Sequence, residues 1–121
     1  MTSQGIVNQC GWWLDVETAD SWCSPSPSNC TDLTLNQHSI QGLIDTLLAR
    51  GASPVGVCSN KLQWSLIVGA NTIHGQTADW YVSGTATAQA AALYCAGTYG
   101  FTGDSVKLVQ FVNGFAFDYA C

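Results

Sequence analysis

The chain has 121 residues, of which 47% are hydrophobic and only 9% charged, so residues 1–121 are expected to form a single domain with a hydrophobic core rather than a disordered segment. The chain is small for a complete eight-fold βα barrel, which normally needs roughly 200 to 250 residues. Eight acidic residues against three basic ones give a net charge of −5, which leaves no basic stripe for phosphates and argues against nucleic acid as a partner.

An apolar segment at residues 12–17 reads Trp-Trp-Leu-Asp-Val-Glu and is predicted to be the first strand. Residues two apart in a strand project from the same face, so Asp15 and Glu17 are expected side by side, on the order of 7 Å apart between Cα atoms. Glu17 is the only glutamate in the chain. This carboxylate pair is the best candidate for chemistry.

The segment after this strand is predicted to contain a long surface loop and then an amphipathic helix. Residues 18–34 are polar and contain two prolines, which is typical of a loop. Five apolar residues then recur at the spacing i, i+3, i+4, i+7 and i+8, which indicates a helix. They are Ile40, Leu43, Ile44, Leu47 and Leu48. Asn36 is the candidate N-cap of this helix, and Gly51 is its candidate end.

The rest of the chain alternates between predicted strands and helices. Strands are predicted at residues 54–59, 78–83, 105–112 and 115–119, and helices at residues 61–68 and 85–96. This order predicts an α/β domain whose mostly parallel sheet has four to five strands with flanking helices. Because functional groups gather at the carboxyl ends of such strands, Ser59, Asn60, Ser83 and Gln110 are further candidates for a site.

Six cysteines are many for a chain of this size, and no two have the C-x-x-C spacing of a zinc ribbon or a redox motif. We therefore expect disulfides and an extracellular location, although residues 1–9 lack the features of a signal peptide. Loop length favours pairing of Cys23 with Cys30 and of Cys95 with Cys121. No segment approaches the roughly 20 apolar residues of a membrane span, so no membrane partner is expected.

The carboxylate pair suggests a reaction. Desolvation and repulsion disfavour charging both groups, so one can stay protonated and give its proton to a leaving oxygen while the other stabilises positive charge, as in glycoside hydrolysis. Glu17, with the longer side chain, is the expected acid, and Asp15 the charged partner. Two alternatives stay open: the pair only contacts water and nearby backbone amides, or Asp15, Glu17 and Asp118 hold a divalent metal ion.

Four segments resemble, in order and spacing, the second half of the lysozyme-type barrel of glycoside hydrolase family 25. They are residues 13–17 (Trp-Leu-Asp-Val-Glu), 55–60 (Val-Gly-Val-Cys-Ser-Asn), 79–83 (Asp-Trp-Tyr-Val-Ser) and 107–111 (Lys-Leu-Val-Gln-Phe). The resemblance covers the chain from about residue 12 to its end. It implies a partial (β/α) barrel, the second half of a TIM barrel, that hydrolyses a β-1,4 bond of bacterial cell-wall glycan.

The resemblance also implies roles for individual residues. Glu17 matches the proton donor of the family, and Asp15 matches its assisting carboxylate. Trp80 and Gln110 match positions in the substrate cleft, and Asp118 lies where the last strand of the family often carries an aspartate. With Ser59 and Asn60 from the strand-end argument, these residues form the predicted substrate-binding set.

The chain departs from the family in two ways. The first three barrel strands, one of which carries another active-site aspartate, have no counterpart, and Cys58 replaces a tyrosine. A half barrel leaves strand edges unpaired, so the chain would need a second copy, an N-terminal segment that completes the barrel, or a rearranged open sheet. The predicted function is a secreted glycoside hydrolase that acts on a polysaccharide such as peptidoglycan, without metal or cofactor. The alternative is a non-catalytic carbohydrate-binding or structural remnant of such a barrel.

Overall fold

The computed structural model describes residues 11–23 and 32–121. Its strands are β1 (Trp12–Asp15), β2 (Val55–Ser59), β3 (Ala78–Val82), β4 (Val106–Asn113) and β5 (Phe115–Ala120). Its α-helices are α1 (Thr34–Ala49), α2 (Lys61–Ile67) and α3 (Ala88–Ala92), and two 3-10 turns follow at Leu93–Cys95 and Gly97–Tyr99. In this part of the chain, no helix has the length and apolar character that a membrane crossing requires.

The five strands form one sheet in the order β1-β2-β3-β4-β5. The first four are parallel to one another, and β5 pairs antiparallel with β4. Parallel neighbours that follow each other in the chain need right-handed crossovers, which place the connecting helices on one side of the sheet. The predicted α/β fold, with a mostly parallel sheet and flanking helices, is confirmed.

The main hydrophobic core lies between the sheet and the helices. Alternate residues of β1 and β2 supply the sheet side, and the apolar stripe of α1 and the inner side of α2 supply the other. The core residues of these four elements are Leu14, Val55, Val57, Ile40, Ile44, Trp64 and Ile67. A second cluster, around Ala91, Val106 and Val109, packs under the aromatic residues that precede β4.

The opposite face of the sheet is the one that these crossovers leave free, and we call it the open face. The strand register places on this face the residues that alternate with the core residues. They include Trp13, Asp15, Gly56, Cys58, Trp80, Leu108, Gln110 and Asp118. Strand periodicity and inter-strand register together therefore bring most of the candidate functional side chains to one face.

The helix α1 begins differently from the prediction, because Asn36 is not its N-cap. Asn36 is buried within the first turn. Its side-chain N–H groups donate to the backbone carbonyl of Cys23 and to that of Ile67, the latter at 2.9 Å. Its side-chain oxygen accepts the Cys23 N–H at 3.2 Å. The Asp32 carboxylate accepts the Thr34 N–H at 3.0 Å at the start of the helix. A polar residue near a helix start can thus bridge buried backbone groups as well as cap the helix.

The helix predicted at residues 85–96 is shorter in the structure. Thr87 is its N-cap, since the Thr87 hydroxyl accepts the Ala90 N–H at 3.1 Å, and the α-helical part ends after Ala92. Tyr94 then stacks on Tyr81, with ring centroids 4.9 Å apart. Alanine-rich sequence favours helix, but the tighter 3-10 turn is the geometry that accompanies this aromatic packing.

The predicted disulfide between Cys95 and Cys121 is confirmed, and it ties the first 3-10 turn to the residue that follows β5. Cys23 is also disulfide-bonded, and its predicted partner Cys30 lies outside the described residues. So does the middle of the predicted loop, residues 24–31. Cys58 is a free, buried thiol.

Candidate active site

The candidate site lies on the open face at the carboxyl end of β1. Asp15 is in register with Cys58 of β2, and Glu17 returns to the same face two residues later. One carboxylate oxygen from each acid and the Cys58 sulfur all lie within 4.8 Å of one another. Val16, between the two acids, is fully buried in the core on the other side of the sheet. Burial of Val16 therefore fixes the direction of both carboxyl groups.

Asp15 changes the proton affinity of Glu17. The pKa of Glu17 is raised from 4.5 to about 7, first by a hydrogen bond with the Asp15 side chain, then by partial burial, and then by the charges of Asp15 and Asp20. The Glu17 backbone N–H donates to Asp20 Oδ2 at 3.3 Å, which keeps that third carboxylate nearby. Near neutral pH the pair Asp15 and Glu17, which we call the dyad, therefore holds a shared proton, and the raised pKa makes Glu17 a site for it.

The dyad lies against a buried thiol. Cys58 is only 4% exposed, and its pKa is raised by burial and by the surrounding carboxylates, chiefly Asp15 and Glu17. The thiol therefore stays protonated and neutral beside the dyad. Two carboxylates and a thiol are ligand types that a zinc ion accepts, so these three residues are the ones that could hold a metal. Asp118, part of the metal site considered from the sequence, instead bonds to Trp80.

Two tryptophans stand beside the dyad on the open face, and we call them the tryptophan corner. The ring of Trp13 lies directly over Gly56, so a Cβ at position 56 would overlap it. The rings of Trp13 and Trp80 meet edge to face, with centroids 5.9 Å apart and planes at 80°. Trp80 Nε1 donates a hydrogen bond of 2.7 Å to Asp118 Oδ1. Trp13 is thus held by its packing on Gly56, and Trp80 by its hydrogen bond to Asp118.

Gln110 lies on the same face, further from the dyad. It is half-buried on β4 and in register with Asp118 on β5. Its backbone carbonyl accepts hydrogen bonds from the N–H and the hydroxyl of Ser83, at 3.2 and 2.7 Å. The register places Gln110 next to Asp118, whereas the Ser83 hydroxyl is engaged by the backbone.

Ser59 and Asn60 contribute to the fold rather than to the open face. Ser59 is fully buried on the helix side of the sheet. Asn60 is the N-cap of α2: its oxygen accepts the Gln63 N–H at 2.9 Å, and its amide nitrogen donates to the Val82 carbonyl at 3.1 Å. Both residues follow a strand end, as the sequence predicts, but their polar groups are used within the protein.

Sequence reasoning did not single out Trp13 and Gly56 as parts of the site. The alternation of β1 places Trp13 on the face of Asp15, and this signal was available in the sequence. The role of Gly56 depends on the pairing of Trp13 with Gly56 between β1 and β2, which no single-strand pattern reveals.

The fold and the site define an α/β protein with a proton-sharing carboxyl pair beside an aromatic corner. Comparisons with protein-family models, curated proteins and solved structures gave no match to this chain. The chemistry of the site is therefore the basis for a function.

Proposed function

We propose that the protein is a glycoside hydrolase that cleaves O-glycosidic bonds of a polysaccharide, with Glu17 as the proton donor and Asp15 as its charged partner. The observation that carries this proposal is the pKa of about 7 at Glu17, on the open face beside two tryptophans. An acid whose pKa lies near the working pH combines a large protonated fraction with good proton-donating strength.

The roles follow from the geometry of the dyad. Glu17 gives its proton to the glycosidic oxygen as the bond from that oxygen to the anomeric carbon breaks. The negative charge of Asp15, held in the same hydrogen-bonded pair, stabilises the positive charge that develops on the sugar. Water then adds to the anomeric carbon, and its proton returns to the dyad.

The surroundings of the dyad fit a glycan substrate. Tryptophan faces provide flat apolar surfaces for the C–H faces of sugar rings, and the net charge of −5 favours a neutral or cationic ligand over an anionic one. The resemblance to family 25 adds cell-wall peptidoglycan as the polysaccharide of choice. The Cys95–Cys121 disulfide suits an extracellular place of action.

The test of the catalytic role is Glu17→Gln, which keeps the size and the hydrogen-bonding capacity of the side chain and removes the acid. We expect release of soluble glycan from peptidoglycan to fall by at least about 100-fold, the usual contribution of a general acid. Asp45→Asn, an exposed aspartate on α1, is the matched control and should leave the rate unchanged. Activity that persists in a folded Glu17→Gln variant rules out the assignment.

A second candidate function is glycan binding without cleavage. Retaining enzymes place their two carboxyl groups about 5 to 5.5 Å apart and inverting enzymes about 6.5 to 9.5 Å apart, on opposite sides of the scissile bond. The dyad oxygens lie within 4.8 Å and come from one strand, so they approach a sugar from the same side. This one-sided arrangement is the observation that supports the second candidate. Saturable binding of glycan with no product formed distinguishes this candidate.

A further inference from the structure

We propose that the tryptophan corner is a stacking site for one pyranose ring, and that Asp118 serves this site as a positioning residue through Trp80 instead of binding the sugar with its carboxylate. This inference rests on the proposed function only in that the ligand is a glycan. It needs no hydrolysis.

The corner is held in a defined shape by the contact of Trp13 with Gly56 and by the contact between the two tryptophan rings. Trp13 is seated on Gly56, where only a residue without a side chain leaves room for the ring. Trp13 in turn contacts Trp80 edge to face, an arrangement that the ring quadrupoles favour. Two half-buried rings at 80° form two adjoining walls rather than one flat patch. A sugar stacked on one wall is therefore bounded by the other.

Asp118 holds the ring of Trp80 although it lies two strands away. Trp80 lies on β3 and Asp118 on β5, so the indole reaches across β4, about 9 to 10 Å between the outer strands. The hydrogen bond at its end, 2.7 Å from Nε1 to Oδ1, is the short kind that a charged acceptor makes. All six residues of β5 are exposed, and the strand is held by β4 and by the disulfide of Cys121 that follows it. Asp118 therefore selects the ring orientation of Trp80.

The corner lies on the same face of the sheet as the dyad, so one glycan chain can contact both. Trp80 is in register with Cys58, and the Cys58 sulfur lies within 4.8 Å of both dyad oxygens. Asp15 on β1 and Trp80 on β3 are therefore about two strand spacings apart, roughly 10 Å. A glycan stacked on Trp80 has to extend along the open face by this distance to reach the dyad.

The experiment measures binding of chitotriose, a soluble β-1,4-linked trimer of N-acetylglucosamine, to the full chain by calorimetry. It is done in the Glu17→Gln background so that no turnover interferes. Trp80→Ala should abolish detectable binding. Asp118→Ala should weaken binding about fivefold, the value of one hydrogen bond, and shift the tryptophan emission. Asp118→Asn keeps a carbonyl acceptor for the indole and should bind within about twofold of the parent.

A double substitution separates positioning from direct contact. In a Trp80→Phe background the indole N–H is gone, so Asp118→Ala should have no further effect if Asp118 acts through Trp80. An equal loss in Asp118→Asn and Asp118→Ala, or a full fivefold loss in the Trp80→Phe background, would overturn the positioning role. A parent protein that fails to bind chitotriose, or that binds independently of Trp80, would overturn the stacking site. If the unsubstituted chain binds chitotriose without cleaving it, the hydrolase proposal fails. The stacking site and the positioning role of Asp118 are supported all the same.

Discussion

The protonation of Glu17 can be measured without a substrate, because Glu17 is the only glutamate in the chain. Incorporation of glutamate labelled with ¹³C at Cδ places one titrating glutamate carboxyl in the protein. Its chemical shift should change with a midpoint near pH 7 instead of 4.5. At pH 6, a carboxyl group with a pKa of 7 is about 90% protonated, whereas an ordinary glutamate is about 3% protonated.

The cause of the shift is tested by Asp15→Asn. Asp15 makes the hydrogen bond that raises the pKa of Glu17 most, and it supplies much of the negative charge that acts on Glu17. An asparagine at this position is neutral and can donate an N–H to the ionised Glu17, which favours the charged form. The midpoint should therefore fall by about 2 pH units. Asp45→Asn should leave the titration unchanged. A midpoint below about 5 in the unsubstituted protein, or one that Asp15→Asn does not move, refutes the proton-sharing dyad.

The same shift has a consequence for stability, with a definite sign. Because the pKa of Glu17 is higher in the folded state than the 4.5 of the unfolded chain, the folded state binds more protons between pH 4.5 and 7. The free energy of unfolding should therefore decrease as pH rises through this window and level off above it. The carboxyl group is partly exposed, so solvent screening limits the loss to about 1 to 2 kcal/mol. The difference between the parent and Glu17→Gln in urea unfolding at pH 4.5 and pH 7.5 isolates this contribution.

Two further predictions concern residues that support the site. Gly56→Ala should displace Trp13 and lower the free energy of unfolding by about 1 to 3 kcal/mol, whereas Gly42→Ala, in the open on α1, should raise it by about 0.5 to 1 kcal/mol. Urea unfolding and the near-ultraviolet circular dichroism of the tryptophans check both, and equal effects would contradict the packing argument. Asp79→Ala should cost about 2 to 4 kcal/mol, since this fully buried carboxylate accepts hydrogen bonds from the backbone N–H groups of Phe101 and Thr102, at 2.7 and 3.2 Å. A cost under about 1 kcal/mol by the same method would show that these groups find other partners.

The sequence predicts well what depends on residue spacing within one element. The period of two in β1 places Asp15 and Glu17 on one face, and the stripe that begins at Ile40 predicts α1. Such patterns reflect which side of an element is buried, and this is decided locally. Asn36 shows the limit, because a polar side chain at a helix start satisfies either its own helix or a distant carbonyl such as that of Ile67.

Contacts between strands are the part that spacing cannot predict. The approach of the Cys58 thiol to the dyad depends on its register with Asp15, and the bond from Trp80 to Asp118 depends on the order of three strands. A change of register by one residue would turn Cys58 to the opposite face of the sheet. Ser59 lies at the predicted edge of the sheet but on the helix side, because the end of a strand does not determine which face a side chain occupies.

The dyad lies on β1 and its continuation, at one edge of the described sheet. Both acids come from this one segment, so they would approach the sugar of the proposed substrate from one side. In the part of the chain that the structure describes, β1 is also the outermost strand of the sheet. A strand added at this edge would lie roughly 4.8 Å from β1 and bring every second side chain onto the open face beside Asp15. For the proposed hydrolysis, a strand paired with β1 would therefore be the neighbour that adds side chains beside the dyad.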